Sequence, residues 1–250
     1  MKNQPPLDEL IEITGEILQT KYASAECAFL AGSIVRGEGT AFSDLDIVVI
    51  FEKLPNAFRE SFYFREFPVE TFVHTPETLN YFMFERERPN GFCVLANMVD
   101  EGIEVPASSA LSRRLKDLAN KCLALKPLPL AKEQIDNLRY RITNLIDDIR
   151  APRSKEELTA TGTELYAALA EFYFRTNDLW SANGKSIPRR LQKTSLAFQR
   201  KFCAGFEELF AAGKPEKVIE LTGELLAPHD GFLFDGLRLD ASADCKKPLE

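Results

Sequence analysis

The stretch that decides the fold is FLAGSIVRGEGTAFSDLDIVVIF, residues 29–51. An apolar run leads to Gly32-Ser33, a loop with two further glycines follows, and a second apolar run begins within Ser43-Asp44-Leu45-Asp46. This order predicts a strand, a loop and a second strand. Because side chains alternate between the two faces of a strand, Asp44 and Asp46 should share one face. Leu45, Ile47 and Val49 should point the other way, into a core.

Two carboxylates at the start of a buried strand repel each other unless a cation lies between them. Magnesium suits such a place, because it binds one or two carboxylates and completes its shell with water and phosphate oxygens. The preceding loop offers groups for the phosphates: glycines that let backbone amides approach an anion, and hydroxyl donors. They are Gly32, Gly37, Gly39, Ser33 and Thr40.

Two better-known phosphate motifs do not fit this loop. Gly32 and Gly37 have the spacing of a P-loop, but Glu38 stands where that motif needs lysine. Gly37 and Gly39 begin a dinucleotide fingerprint, but Phe42 occupies the place of its third glycine. The loop therefore belongs to another class of phosphate site.

Gly32-Ser33, a short loop with glycines, and Ser43-Asp44-Leu45-Asp46 before a β-branched strand together resemble the signature of the polymerase-beta-type nucleotidyltransferase superfamily. The resemblance implies a nucleoside triphosphate, with ATP as the expected donor, and one or two Mg²⁺ ions. It implies that Asp44 and Asp46 are catalytic metal ligands and that Gly32, Ser33, Arg36 and Ser43 bind the nucleotide. Arg36 has a second interpretation, as a surface arginine of the loop.

The segment Pro68–His74 is rich in β-branched and aromatic residues and predicts a strand with Glu70, Phe72 and His74 on one face. In the resembled family a third carboxylate lies on a strand next to the Asp-x-Asp pair, and Glu70 matches it. Glu70 is interpreted as a catalytic metal ligand, or as the base that accepts the proton of the attacking hydroxyl. An exposed edge-strand glutamate is the alternative. His74 is either a base or a substrate contact, or else a surface or hydrogen-bonded structural residue.

The sequence pattern changes after Val105, where runs rich in β-branched residues end and long amphipathic helical patterns begin. We therefore expect an α+β protein with a small mixed β-sheet nucleotidyltransferase domain, residues 1–105, followed by an all-α helical bundle, residues 106–250. One continuous helix is predicted over 191–211. The bundle is expected to line the other wall of the active-site cleft.

A basic turn interrupts the helical part at Trp180–Arg190, which contains Gly184-Lys185, Arg189 and Arg190. The turn loosely resembles the Gly-Lys segment in the helical carboxy-terminal domains of small-molecule nucleotidyltransferases. That resemblance implies that Lys185 binds the triphosphate. A solvated basic turn is the alternative.

Composition excludes several classes of function. With 250 residues and a net charge of −7, the protein has no strong basic balance for tracking nucleic acid. Its five scattered cysteines show no Cys-x-x-Cys spacing, which argues against zinc and disulfide frameworks. No signal-peptide core is seen and no stretch approaches the roughly 18 apolar residues of a membrane span, so a cytoplasmic protein without membrane contact is expected.

The expected reaction is transfer of a nucleoside monophosphate, AMP from ATP in the first instance, to a hydroxyl of a small molecule, with release of pyrophosphate. The resemblance points to the aminoglycoside and lincosamide nucleotidyltransferases, and an acidic protein suits a cationic acceptor. The alternatives are an adenylyltransferase that modifies a protein partner, of the toxin–antitoxin kind, and an inactive nucleotide-binding sensor. The sequence leaves open whether one chain or a homodimer forms the active site.

Overall fold

The computed structural model describes residues 6–242 and 245–246. The chain divides into two compact units, Met1–Leu128 and Pro129–Glu250. A five-stranded mixed sheet lies in the first unit, and the second unit is helical. The predicted α+β class, with a sheet domain followed by helices, is confirmed.

The first unit contains five strands and five α-helices among its described residues. In chain order the elements are α1 (Leu7–Lys21), β1 (Cys27–Ala31), α2 (Gly32–Val35), β2 (Leu45–Ile50), β3 (Phe58–Phe64), β4 (Phe67–His74), α3 (Pro76–Tyr81), a π-helical segment (Phe82–Glu87), α4 (Val94–Glu101), β5 (Ile103–Val105) and α5 (Ala110–Ala124). The sheet order is β3-β4-β2-β1-β5. The β2 and β4 strands run parallel, and the other neighbouring pairs are antiparallel.

The centre of the sheet is apolar on both faces, which is why β2 tolerates polar residues only at its beginning. Leu45 and the residues Ile47–Ile50 are fully buried, and Asp46 is the one partly exposed member of β2. On one face, Ile13 and Ile17 of α1 belong to the same core cluster as Leu45. Burial of each large apolar side chain stabilises the fold by about 1.5–3 kcal/mol, and a shift in register would lose this free energy. The carboxylates are thereby placed at the strand end.

Helix α5 belongs to the first compact unit. Lys116 of α5 donates hydrogen bonds of 2.8 Å to the carbonyl oxygens of Asp100 and Gly102, and Asn120 donates one of 2.7 Å to the Asp100 carboxylate. The unit consequently extends to Leu128, whereas the predicted domain boundary after Val105 leaves α5 with the helical part. The amphipathic pattern of α5 predicts a helix but does not indicate which core it packs against.

The second unit contains five α-helices and a short 3₁₀ turn among its described residues. They are α6 (Lys132–Arg150), α7 (Lys155–Thr176), α8 (Ser186–Thr194), α9 (Leu196–Ala212), α10 (Glu216–Leu226) and the turn Ala227–His229. The continuous helix predicted over 191–211 is wrong, because the backbone is extended at Ser195. The Ser195 side chain accepts a 3.2 Å hydrogen bond from the Phe198 amide and caps α9.

Two features of the local structure are not indicated by the sequence pattern. Residues 58–64 form strand β3 although they mix charged and aromatic residues. The helical stretch after Thr75 is α-helical only over α3 and then continues as the π-helical segment. Across 6–242 and 245–246, none of the helices combines the length and the apolar content needed to cross a membrane.

Candidate active site

Three carboxylates meet where the beginning of β2 lies beside the middle of the parallel strand β4. Asp46 on β2 and Glu70 on β4 are direct neighbours in the strand register, and Asp44 immediately precedes β2. One oxygen of each of the three side chains lies within 4.8 Å of the other two. We call these residues the carboxylate cluster. The structure thus brings together the three acidic side chains that the sequence proposes as catalytic and metal-binding.

Burial and the neighbouring negative charges both act on the protonation of Asp46. The pKa of Asp46 is raised to about 7, first because the group is buried and then because Asp44 and Glu70 place negative charge beside it; Arg36 and Arg59 act in the opposite direction. A divalent cation would offset this repulsion. The donors are all carboxylate oxygens, the ligands that Mg²⁺ prefers, so the residues present fit such an ion.

Gly32 lies where the backbone passes against the Asp46 carboxylate. Its φ angle is +82°, and a Cβ atom added there would lie 2.0 Å from Asp46 Oδ2, well inside van der Waals contact. Both the positive φ and the absence of a side chain are therefore required. Glycine at the first position of α2 is therefore what allows the Asp46 carboxylate to lie against the backbone.

A hydroxyl-rich turn, Thr40–Ser43, connects the glycine loop to the cluster. The Ser43 amide donates to the Thr40 carbonyl oxygen at 3.0 Å, and the Thr40 amide donates to Ser43 Oγ at 2.9 Å. The Ser33 hydroxyl donates to Ser43 Oγ at 3.3 Å. Two of the predicted nucleotide-binding residues, Ser33 and Ser43, are thus in contact beside Asp44.

A family model for the nucleotidyltransferase domain matches residues 11–88. The match contains Gly32, the Thr40–Ser43 turn and the whole carboxylate cluster. Residues 11–88 are thus similar to nucleotidyltransferase domains, which agrees with the resemblance to the polymerase-beta type. The structural features that could bind a nucleoside triphosphate therefore coincide with the part of the chain that the family defines.

Ten solved chains also match. One is a nucleotidyltransferase-like protein from Exiguobacterium sibiricum 255-15, with 13% sequence identity and a TM-score of 0.45. That match covers 88% of this chain and 75% of the other. No curated protein matches the chain.

Arg59 is a residue of the nucleotidyltransferase domain that sequence reasoning missed. Its guanidinium forms an ion pair with Glu70 and lies 4.9 Å from the centroid of the Phe72 ring. Ser61, two residues further along β3, donates a 3.3 Å hydrogen bond to the same Glu70 carboxylate. The two-residue spacing of Arg59 and Ser61 becomes informative only when residues 58–64 are known to form a strand beside β4. Glu70 is therefore oriented by two groups from β3.

Arg36 pairs with two acidic side chains of the first compact unit. Its Nε atom lies 3.1 Å from Glu38 Oε2, and Nη1 forms an ion pair with Glu101 at the end of α4. A contact between Arg36 and a phosphate would replace one of these pairs. That contact stays a prediction.

His74 is a structural residue at the end of β4 and lies away from solvent. Its side chain is buried, its Nδ1 atom lies 3.3 Å from Thr78 Oγ1, and its ring packs edge-on against Phe82 at 5.1 Å between centroids. Burial lowers the pKa of His74 to about 4, so the ring is neutral at neutral pH. Of its two interpretations, the structure favours the hydrogen-bonded one.

The buried His74 predicts a pH dependence of stability. A histidine whose pKa falls from 6.5 unfolded to about 4 folded contributes stability above the unfolded pKa, and that contribution is lost as pH falls towards 4. Between about pH 7.5 and about pH 5 the loss should be about 2 kcal/mol. Urea unfolding of the wild type and His74→Gln at both pH values measures it. The variant should lack this part of the pH dependence, and identical pH dependence in both proteins would contradict the assignment.

Lys185 lies in the second unit, immediately before α8, and its side chain is exposed. Arg189 and Arg190 follow on that helix, with half-buried side chains. The role of Lys185 as a nucleotide-binding residue stays a prediction.

Proposed function

We propose that this protein transfers a nucleoside monophosphate, AMP from ATP in the first instance, to a hydroxyl group of a small molecule and releases pyrophosphate. One observation carries the proposal: three carboxylate oxygens lie within 4.8 Å of one another on neighbouring parallel strands, inside the residues that match a nucleotidyltransferase domain. Because like charges are costly to hold together, the cluster is best explained by a cationic ligand.

The roles of the residues follow from their positions. Asp44, Asp46 and Glu70 would hold Mg²⁺, which when bound neutralises triphosphate charge and lowers the pKa of an oxygen ligand. The Gly32 backbone and the hydroxyls of Ser33 and Ser43 offer hydrogen-bond donors to phosphate oxygens. Arg59 and Ser61 orient Glu70.

The reaction balances without any further reagent. The acceptor oxygen forms a bond to the α-phosphorus of the triphosphate while the bond between that phosphorus and the oxygen bridging to the β-phosphate breaks. Pyrophosphate leaves with the electron pair of the broken bond, and the proton of the acceptor hydroxyl is released. Positioning and charge stabilisation are the contributions that the chain must supply.

The acceptor class is proposed from charge. The protein has a net charge of −7, and its candidate site is built around carboxylates, so a cationic acceptor would be attracted to it. Aminoglycosides combine positive charge with many hydroxyl groups. They are therefore the first acceptor class to test, and lincosamides are the second.

The experiment is pyrophosphate release from each of the four nucleoside triphosphates with Mg²⁺, against aminoglycosides, lincosamides and total cell extract. We expect release with one small-molecule class, and release that is slower by roughly 10²-fold or more from the Asp46→Asn variant. Release that depends only on the macromolecular fraction of the extract would favour a protein acceptor instead. Nucleotide binding without release under any condition would favour an inactive sensor.

Glu70→Gln tests the third carboxylate. Glutamine keeps the size and one carbonyl oxygen but removes the charge, so we expect turnover to fall by roughly 10²-fold, the scale of losing a main electrostatic interaction. Glu104→Gln is the matched control, because Glu104 lies on β5, which β2 and β1 separate from β4. Pyrophosphate release at saturating nucleotide measures both variants. Near-normal turnover of Glu70→Gln would show that the charge of Glu70 has no role in the reaction.

A further inference from the structure

Phe42 projects into solvent beside the candidate active site. Its side chain is 94% exposed, the highest value among the large hydrophobic side chains of the described residues. Single exposed apolar side chains are common on protein surfaces and need no explanation by themselves. The position of Phe42, however, sets it apart from the others.

The backbone under Phe42 is held firmly. The Phe42 amide donates to Thr40 Oγ1 at 3.3 Å, and the Thr40–Ser43 turn that contains it is closed by hydrogen bonds of 3.0 Å and 2.9 Å. A mobile loop tip would lack such bonds. The ring is therefore presented from a fixed point, although no side chain packs over it.

The turn also fixes the distance from Phe42 to the groups that would bind a triphosphate. Ser43, the next residue, contacts Ser33, and Asp44 of the carboxylate cluster follows two residues after Phe42. Two residues of extended chain span at most about 7 Å. A nucleoside attached to a triphosphate at these groups would consequently come within reach of the ring.

We infer that Phe42 is a stacking platform for the nucleobase of the donor triphosphate. The inference rests on the proposed function and adds a residue that recognises the base. An aromatic ring with an open face offers stacking to any base, because every base has a π-face. Phe42 should therefore increase affinity for nucleoside triphosphates without choosing strongly among them.

The test compares two ligands that differ only in the nucleoside. Calorimetry with Mg²⁺ measures the affinity of ATP and of inorganic tripolyphosphate for the wild type, Phe42→Ala and Phe42→Trp. We expect Phe42→Ala to bind ATP about tenfold more weakly, within the range that base stacking provides, and tripolyphosphate unchanged. Phe42→Trp should bind ATP at least as tightly as the wild type. Tyr63→Ala is the matched control, because Tyr63 is 79% exposed on β3 and should affect neither ligand.

A second measurement, of tryptophan fluorescence, reports contact between the base and residue 42. The chain contains a single tryptophan, Trp180, so Phe42→Trp combined with Trp180→Phe carries its only tryptophan at the platform. ATP with Mg²⁺ should quench its fluorescence, and tripolyphosphate should not.

Each contrary outcome is distinguishable. Unchanged ATP affinity of Phe42→Ala would overturn the inference, and so would an equal loss for ATP and tripolyphosphate, which would indicate a distorted turn. A loss confined to the acceptor KM would assign the ring to the acceptor and overturn it as well. If the wild type binds neither ligand, the proposed function itself fails and the platform fails with it.

Discussion

Asp46→Asn is expected to lower turnover by roughly 10²-fold or more while the protein stays folded. Asparagine has the size of aspartate but lacks its charge, so the carboxylate cluster loses the central one of its three anionic groups. Loss of one main electrostatic interaction in an active site typically has this magnitude. Pyrophosphate release at saturating nucleotide and acceptor measures the effect.

The same substitution should leave the metal-free protein at least as stable as the wild type. Asp46 is held close to Asp44 and Glu70, and removal of its negative charge relieves repulsion in a partly buried site. Urea unfolding in the presence of a chelator at about pH 8 tests this, with Asp117→Asn as the matched control because Asp117 is exposed on α5. A large loss of stability in Asp46→Asn would assign Asp46 a structural role, and wild-type turnover would contradict its place in the reaction.

Gly32→Ala is expected to abolish most activity and to destabilise the fold. A Cβ atom at this position would lie 2.0 Å from Asp46 Oδ2, so either the loop or the carboxylate must move. The positive φ of +82° adds a cost of about 1 kcal/mol for any residue with a side chain. We expect a loss of more than about 2 kcal/mol in unfolding free energy and of at least about 10²-fold in turnover.

Gly236→Ala is the matched control for this prediction. Gly236 has the same positive φ, +82°, but no atom lies within 4 Å of an added Cβ. This variant should lose about 1 kcal/mol of stability and keep its turnover within a few-fold of the wild type. If Gly32→Ala and Gly236→Ala behave alike in both measurements, close contact between Gly32 and Asp46 has no role in the site.

The local part of the candidate site could be predicted from the sequence. The alternation of side chains in β2 places Asp44 and Asp46 on one face. The resemblance to the family, together with a strand assignment for residues 68–74, identifies Glu70. Both strand assignments rest on β-branched and aromatic residues. The strand pairing then brings Asp46 and Glu70 together.

The contacts that orient the carboxylate cluster could not be predicted, because they join residues that are distant in the chain. Arg59 reaches Glu70 only through the antiparallel pairing of β3 with β4. Arg36 pairs with Glu101, which is 65 positions away in the sequence. The close approach of Gly32 to Asp46 could not be predicted from the sequence either, because a glycine in a loop does not indicate which residue lies against it.

Helix boundaries show the same distinction between local and distant information. Ser195 interrupts the predicted long helix because its side chain caps α9, a local signal that sequence reasoning could have used. The assignment of α5 to the first unit, in contrast, depends on Lys116 and Asn120 meeting the end of α4. Amphipathic periodicity contains no information about such a partner.

Metal-dependent nucleotide binding is tested by a calorimetric titration of the wild-type protein with ATP, performed with Mg²⁺ and again with a chelator in its place. We expect binding that requires the divalent cation and that is much weaker in Asp46→Asn. Absence of nucleotide binding with Mg²⁺, or binding of equal strength in the chelator, would contradict a metal-dependent nucleotidyltransferase site at Asp44, Asp46 and Glu70.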